Sequence, residues 1–349
     1  MSQLFVNRLF AQIVAAFCLG AVAQAAVAPL TGAGSTFSEP LYKKWGELAN
    51  QANGTSVTYD GVGSGEGIAR IEAKKVDFGA SDEPLSRDAL ATKNLRQFPT
   101  CVGAIVVAVN LPGVPKGKLK LSAEALADIY LGKVTRWNDP EIAASNEPAE
   151  VKLPNLPIKP VSRAESSGST FVMAYFLSAR VPAWQKGPGV AKLLKGVVGQ
   201  TAEGTGGIVN YIKQTPGAIG YMDFGRATRD GLNMVQLPNR VGIFVEPTVE
   251  SIEAAMKSDA ESLMYNNDPD FYLILSNNET YKGWPMATAT FVLLPKSGKD
   301  VRRILDFYYW AFQNGDKAAR DLGYVPLSET MKLGVRKAWS HQYGYKAGF

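Results

Sequence analysis

Residues 56–82, SVTYDGVGSGEGIARIEAKKVDFGASD, alternate between strand and helix patterns. Runs of apolar and β-branched residues at 56–59 and 76–80 predict strands, and the periodic segment 68–75 between them predicts a short helix. A strand, a helix and a second strand in this order favour an α/β fold with a mainly parallel sheet. Ligands of such sheets gather beyond the carboxyl ends of the strands, which is where Asp82 lies.

The string Gly-Ser-Thr-Phe occurs twice, at 34–37 and at 168–171. Each copy precedes an amphipathic run, so each predicts a hydroxyl-bearing loop that opens a helix. A helix N-terminus offers unpaired N–H groups and a partial positive charge, which together suit an anion. Taken alone, such a loop is more often a simple helix cap. Two of them joined by α/β sequence favour an oxyanion held between two lobes.

The apolar run at 102–109 predicts the first crossing between these lobes, and the apolar strand that begins near 289 predicts the return. The expected organisation is therefore lobe I at 26–110 and 289–349, with lobe II at 111–288. A mature chain of this length is long enough for two domains, each with its own core.

The first 25 residues have the pattern of a cleavable signal peptide, with Arg8, an apolar stretch and a small-x-small site at 23–25. Phe17 precedes Cys18 where a lipid-attachment signal requires a small residue, so no lipid anchor is expected. The predicted location is the periplasm. Cleavage leaves Cys101 as the one remaining cysteine, in an apolar run that predicts a buried, inert thiol.

Composition argues against several classes of function. The 349 residues carry a formal net charge of +5, but the basic residues are dispersed, which argues against nucleic acid as a partner. The chain has one histidine, His341, and neither a P-loop nor a G-x-S-x-G elbow. A Ser-His-Asp triad or a histidine-based zinc site would have to use that single histidine. We therefore expect no enzymatic activity, no metal and no cofactor.

Four motifs resemble those of the periplasmic phosphate-binding proteins of high-affinity phosphate ABC importers. They are LTGAGSTF at 30–37, VDFGASD at 76–82, IYLGK at 129–133 and PGAIGY at 216–221. The resemblance extends over nearly the whole mature chain. It implies a two-lobed periplasmic binding protein fold of type II-like architecture, with two mainly parallel sheets, a ligand cleft and two hinge crossings. The implied partners are inorganic phosphate and the permease and ATPase of an importer, and the implied state is a monomer.

The family's ligand contacts fall on hydroxyl, backbone and charged groups of both lobes. Carried over by position, the resemblance implies phosphate binding by Ser35, Thr36, Phe37, Ser64, Asp82, Arg163, Ser167, Gly168 and Ser169. Glu165 stands where the family has an aspartate that pairs with the arginine, and its extra methylene changes how it can hold Arg163. Glu66 and Glu83 replace small residues, and they weaken anion binding if they face the cleft.

Asp82 has a chemical rationale that is independent of the family. Phosphate at neutral pH carries at least one proton, so an ionised Asp82 can accept a hydrogen bond from a P–OH group. Sulfate has no such proton and meets only repulsion. Three alternatives remain: a binding protein for another tetrahedral oxyanion such as sulfate, molybdate or arsenate, an exported phosphatase with Ser64 or Ser167 as nucleophile, and a relative used in adhesion or phosphate sensing.

Overall fold

The computed structural model describes residues 28–147, 149–265, 270–278 and 280–346. The predicted signal peptide at 1–25 lies outside these residues. The strands are β1 (Leu30–Gly34), β2 (Val57–Gly61), β3 (Phe78–Ser81), β4 (Leu95–Val109), β5 (Lys159–Arg163), β6 (Gln200–Ala202), β7 (Ala218–Asp223), β8 (Asn233–Met234), β9 (Leu237–Pro238), β10 (Phe244–Val245), β11 (Ala287–Pro295) and β12 (Val325–Pro326).

The helices of the described residues follow the predicted alternation with the strands. They are α1 (Glu39–Asn53), α2 (Ser64–Glu72), α3 (Arg87–Thr92), α4 (Ala123–Tyr130), α5 (Pro140–Ala143), α6 (Gly168–Ser178), α7 (Pro182–Lys186), α8 (Gly204–Gln214), α9 (Phe224–Arg229), α10 (Val249–Tyr265), α11 (Val301–Asn314), α12 (Asp316–Asp321) and α13 (Glu329–Tyr343). Among the described residues, none of these helices combines the length and the apolar character that crossing a membrane requires.

The strands form one mixed sheet in the order β2-β1-β3-β11-β4-β7-β5-β6, with β8 and β12 added beside β4. Pairing is parallel at both ends, where β1 joins β2 and β3, and where β5 joins β6 and β7. Pairing is antiparallel in the middle, because β4 and β11 carry the chain between the two ends. The sequence analysis expected two mainly parallel sheets. The parallel pairing is present at the two ends, but the ends belong to one mixed sheet, because the strands that cross out and back pair antiparallel and join them.

Strand β4 belongs to both halves of the molecule. It pairs with β11 from Leu95 to Ala104 and then with β7 from Ile105 to Val109. Every residue of this strand except Arg96 is buried, which explains its long apolar run. We call the half built on β1–β3 and β11 lobe I, and the half built on β5–β7 lobe II.

Lobe I has an aromatic core beneath helix α1. Tyr42 and Trp45 of α1 are buried, and Pro40 occupies the first turn, where a missing N–H costs nothing. The ring of Tyr308 on α11 lies 5.7 Å from the rings of both Tyr42 and Phe78 in edge-on geometry. This packing joins the C-terminal helices to lobe I, as the predicted return of the chain requires. Cys101 is fully buried, as predicted, and burial raises the pKa of its thiol to about 12.

Candidate anion-binding site

The first loop of the site begins where β1 ends. Gly34 has a φ of +143°, and a Cβ there would stand 2.1 Å from the Ala80 carbonyl oxygen, so only glycine fits between β1 and β3. The Ser35 amide donates to that same carbonyl at 3.0 Å. This close approach brings the loop 35–38 directly against the end of β3, which Asp82 follows.

Asp82 is held by hydroxyl groups from three parts of lobe I. Ser35 Oγ lies 2.7 Å from both carboxylate oxygens, and Thr290 Oγ1 on β11 lies 2.7 Å from Oδ1. The Asp82 amide donates to Ser64 Oγ at 3.3 Å. Since a carboxylate can accept about four hydrogen bonds, these contacts orient it and still leave acceptor capacity.

The Asp82 carboxyl is 2% exposed. Burial raises its pKa to about 6, although the hydrogen bonds from Ser35 and Thr290 and the positive charge of Arg163 act in the opposite direction. Asp82 is therefore largely ionised at pH 7, and its proton equilibrium lies close to the physiological range.

Helix α2 begins beside Asp82. Its N-cap, Gly63, has a φ of +92°, and a Cβ there would stand 2.8 Å from the Ser166 carbonyl oxygen of lobe II. Ser64 is the first residue of the helix and is fully buried. The two lobes thus meet closely at the start of α2, in a place where a side chain would keep them apart.

Lobe II contributes Arg163 from the last position of β5. The guanidinium is 2% exposed, and its Nε donates to Glu165 Oε1 at 2.7 Å, with Nη2 donating to the same oxygen. The other Glu165 contact is the Gly204 amide at the start of α8, 3.2 Å from Oε1 and 3.3 Å from Oε2. Despite its extra methylene, Glu165 pairs with Arg163, and it uses only the Nε–Nη2 side of the guanidinium. Within the described residues, the Nη1 side has no hydrogen bond to a protein group.

Helix α6 opens at the second Gly-Ser-Thr-Phe copy. Ser167 is its N-cap and accepts a hydrogen bond from the Thr170 amide at 3.4 Å. Gly168 and Ser169 form the first turn, and both are buried. The capping interpretation therefore holds for the Ser167 hydroxyl, while the remaining N–H groups of the turn point out of the helix, as in any N-terminus.

The start of α6 faces Asp82 across the boundary between the lobes. A Cβ on Gly168 would stand 2.6 Å from Asp82 Oδ2 and 2.6 Å from Ser64 Oγ. The Gly65 amide of lobe I donates to the Ser166 carbonyl of lobe II at 3.4 Å. The structure therefore brings together the two groups of residues that lie far apart in the sequence.

Ser35 and Phe37 have contacts that their expected role did not include. The Ser35 hydroxyl and amide are both directed to lobe I groups, so its side chain acts on Asp82. The Phe37 amide donates to Ser35 Oγ at 3.1 Å, and its ring is buried against Tyr324, with 5.1 Å between the ring centroids. Thr36 stands between them, and its Oγ1 lies 3.3 Å from Thr205 Oγ1 of lobe II.

The two additional glutamates, Glu66 and Glu83, and the substituted Glu165 are each paired with a cation. Glu66 Oε1 accepts from Arg70 Nε at 2.8 Å on the surface of α2, and Glu165 pairs with Arg163 as described. Glu83 Oε2 lies 2.7 Å from Lys192 Nζ, so this ion pair joins lobe I to lobe II. These pairings offset the repulsion that unpaired carboxylates would exert on an anion.

Two residues beside the site were not predicted. Thr290 contacts Asp82 from β11, and its position within an apolar strand shows no ligand pattern. Thr205 lies in the glycine-rich run GTGG at 204–207, where α8 begins, and a local run of this kind carries no signal for the contact with Thr36.

Comparisons with known proteins agree with this architecture. A profile described as a PBP superfamily domain matches residues 20–293. The chain is therefore a member of the PBP superfamily. The phosphate-binding protein PstS of Haemophilus influenzae is 38% identical over 324 residues, which cover 92% of this chain and 95% of that protein. PstS of Pasteurella multocida is 38% identical over 334 residues, covering 95% and 94%. The chain belongs to the PstS family of phosphate-binding proteins.

Solved structures show the same fold. A high-affinity periplasmic phosphate-binding protein, PfluDING, solved with bound phosphate, superposes with a TM-score of 0.72 at 23% identity, covering 89% of this chain and 93% of that one. An ABC-type phosphate transport receptor from Vibrio cholerae has a TM-score of 0.54 at 17% identity, covering 86% and 100%. The predicted α/β, two-lobed binding protein fold and the predicted family are confirmed.

Proposed function

We propose that this protein binds inorganic phosphate between its two lobes and delivers it to a phosphate ABC importer. The observation that carries the proposal is the buried carboxyl of Asp82, whose Oδ2 faces the start of α6 of the opposite lobe, in the site that also holds the buried Arg163. A carboxylate among hydrogen-bond donors that would hold an anion repels most anions. It becomes favourable only for an oxyanion that brings its own proton.

The donors proposed for phosphate come from both lobes. Arg163 offers a planar, charged fork, and the first turn of α6 at Ser167, Gly168 and Ser169 offers amides and hydroxyls. Lobe I contributes the hydroxyls of Ser64 and Thr36. Of the other two residues expected at phosphate, Ser35 acts through Asp82, and the Phe37 amide already donates to Ser35 Oγ. Hydrogen bonds to charged groups contribute about 1.5–3 kcal/mol each, so several of them support micromolar or tighter binding, which corresponds to about −8 kcal/mol or better.

Phosphate held by groups of both lobes stabilises the closed arrangement, and release requires the lobes to separate. The proposed lobes are 26–110 with 289–349, and 111–288. The two crossings run side by side, as the hydrogen bond from the Ile105 amide to the Met286 carbonyl at 2.9 Å shows. Strand β4 changes its pairing partner at Ile105, and Met286 is the residue before β11. We place the hinge at this pair of residues.

The proposal does not include catalysis. A serine nucleophile needs a base within hydrogen-bond reach. Among the contacts of the described residues, Ser64 Oγ accepts from the Asp82 amide and Ser167 Oγ accepts from the Thr170 amide. Neither hydroxyl is paired there with a side chain that can take up its proton, which supports a binding protein over a phosphatase.

The remaining elements of the proposal follow from the family and the sequence. The permease and ATPase of a phosphate importer are the proposed partners, and the proposed state is a monomer. We propose export to the periplasm by cleavage of the signal peptide at 1–25, with no lipid anchor. The relatives named above are phosphate-binding proteins, which supports this assignment.

Calorimetric titration of ligand-stripped protein 26–349 at pH 7 tests the proposed function. We expect one phosphate per chain at micromolar affinity or better, and no heat from sulfate. In Asp82→Asn, discrimination between phosphate and sulfate should fall by more than phosphate affinity does, because the amide can donate to sulfate. Sulfate binding by the unaltered protein contradicts the role of Asp82, and absence of binding to both anions contradicts the function. Hydrolysis of a chromogenic phosphate ester would reopen the phosphatase alternative.

A further inference from the structure

Helix α8 of lobe II places a hydroxyl against the loop 35–38 of lobe I. Thr205 lies in the first turn of α8, and its side chain is 7% exposed. Its Oγ1 is 3.3 Å from Oγ1 of Thr36, and either oxygen can be the donor. This contact joins lobe II to lobe I at a hydroxyl that the proposed function assigns to phosphate.

The position of Thr205 is determined by the group that also holds the arginine. The Gly204 amide donates to Glu165 at 3.2 and 3.3 Å, and Glu165 Oε1 accepts from Arg163 Nε at 2.7 Å. The first turn of α8 therefore cannot shift without disturbing the Arg163–Glu165 pair. Thr205 is thus built into the same framework as the charged donor of the site.

The chemistry of two facing hydroxyls determines what Thr205 can do. A threonine hydroxyl has one hydrogen to donate and two lone pairs that accept. If Thr36 donates its hydrogen to Thr205, none remains for a phosphate oxygen. If Thr205 donates to Thr36, the Thr36 hydrogen is free for phosphate, and the chain of hydrogen bonds polarises it.

Resting on the proposed function, we infer that Thr205 is a positioning residue for phosphate. It donates its hydrogen to Thr36 Oγ1 when the lobes close and thereby directs the Thr36 hydrogen to the bound anion. Thr205 acts through Thr36. Because it belongs to lobe II, its hydrogen bond also stabilises the closed arrangement of the lobes relative to the open one. This role concerns a residue outside the set of phosphate contacts proposed above.

Two substitutions of Thr205 distinguish the effect of its hydroxyl group from the effect of its side-chain shape. Thr205→Val keeps the β-branched volume and removes the donor, while Thr205→Ser keeps the donor and removes the methyl group. We expect Thr205→Val to weaken phosphate binding about three- to tenfold, the effect of one hydrogen bond, with Thr205→Ser near the unaltered protein. Titration calorimetry measures the affinities, and thermal melting of the ligand-free proteins verifies that each variant is folded. Thr205→Ala is the replacement if Thr205→Val does not fold.

A double-mutant cycle with Thr36→Val distinguishes positioning from a structural effect. If Thr205 acts through Thr36, Thr205→Val should add little once Thr36 is valine. Equal losses in both backgrounds, or unchanged affinity in Thr205→Val, overturn the inference while leaving the proposed function intact. Failure of the unaltered protein to bind phosphate overturns the proposed function itself, so the two failures are distinguishable.

Discussion

At the scale of single residues, Asp82 has the property with the clearest functional consequence. Its carboxyl is the acceptor within a site otherwise made of donors, and burial raises its pKa to about 6. Selectivity then depends on a protonation state that changes within a moderate pH range. Below that pKa the group becomes a neutral acid whose O–H can donate to an anion.

Sulfate should therefore gain affinity as the pH falls. Between pH 7 and pH 5, the protonated fraction of a group with this pKa rises about tenfold, and sulfate affinity should rise by about the same factor. Phosphate affinity should change less, since it also binds to the ionised form. Titrations of both anions at half-unit pH steps measure this.

Asp82→Asn is the control for that experiment. The pKa of the neighbouring Asp223 is also raised to about 6 by burial, so it titrates in the same range. Sulfate affinity in Asp82→Asn should be nearly independent of pH between 7 and 5. An unchanged pH dependence in this variant would assign the effect to Asp223 or to another group.

At the scale of elements, the site depends on helix N-termini whose glycines allow the backbone to approach the other lobe closely. The first turn of α6 approaches Asp82 and Ser64 so closely that a single methyl group on Gly168 would stand 2.6 Å from each. The Asp82 carboxylate is held in place by hydrogen bonds from Ser35 and Thr290, so moving it to make room for a methyl group would cost free energy. Full closure of the lobes therefore requires glycine at this position.

Gly168→Ala should lower phosphate affinity at least tenfold, because the methyl group prevents the closed contact between α6 and Asp82. Gly206→Ala in the first turn of α8 is the matched control, since a Cβ there would meet nothing within 4 Å. It should leave affinity unchanged and stabilise α8 by up to about 1 kcal/mol. Calorimetry gives both affinities, and unchanged binding by Gly168→Ala would show that the lobes close less tightly than described.

At the scale of the whole molecule, the two lobes are also joined outside the anion site. Lys192 and Glu83 form an ion pair between the lobes, with about a quarter to a third of each side chain exposed. The Lys192 carbonyl accepts from the Ser167 amide at 2.8 Å, so the loop that carries this lysine also supports the start of α6. This pair is a contact that must break before the cleft opens.

Removing the charge with Lys192→Met should speed phosphate release about twofold to fivefold, the range expected for a partly exposed ion pair. Lys195→Met makes the same charge change in the same loop and should have a smaller effect. In 1 M salt, where the screening length is about 3 Å, the difference in release rate between the two variants should become smaller. Stopped-flow fluorescence measures these rates, and equal effects at low salt would indicate a general charge effect instead of a specific pair.

The sequence predicted most of the local structure around the site. The strand predicted at 76–80 is β3 at Phe78–Ser81, and the helix predicted at 68–75 is α2 at Ser64–Glu72, which begins and ends earlier. The glycine-rich run at 61–67, whose composition is typical of a turn, forms the start of the helix. Its glycines are needed there because Gly63 and Gly65 lie close to lobe II. The contacts Thr36–Thr205, Thr290–Asp82 and Glu83–Lys192 join distant parts of the chain and have no local pattern.

By itself, the sequence determined the alternation of strands and helices, the inert setting of Cys101 and, through its motifs, the family. These depend on residue types and on short spacings along the chain. Only the tertiary structure decided which hydroxyls hold Asp82, that Glu83 pairs with Lys192 of the other lobe, and that burial raises the pKa of Asp82 to about 6. Those properties depend on burial and on contacts between the lobes, which arise only when segments far apart in the chain pack together and exclude water.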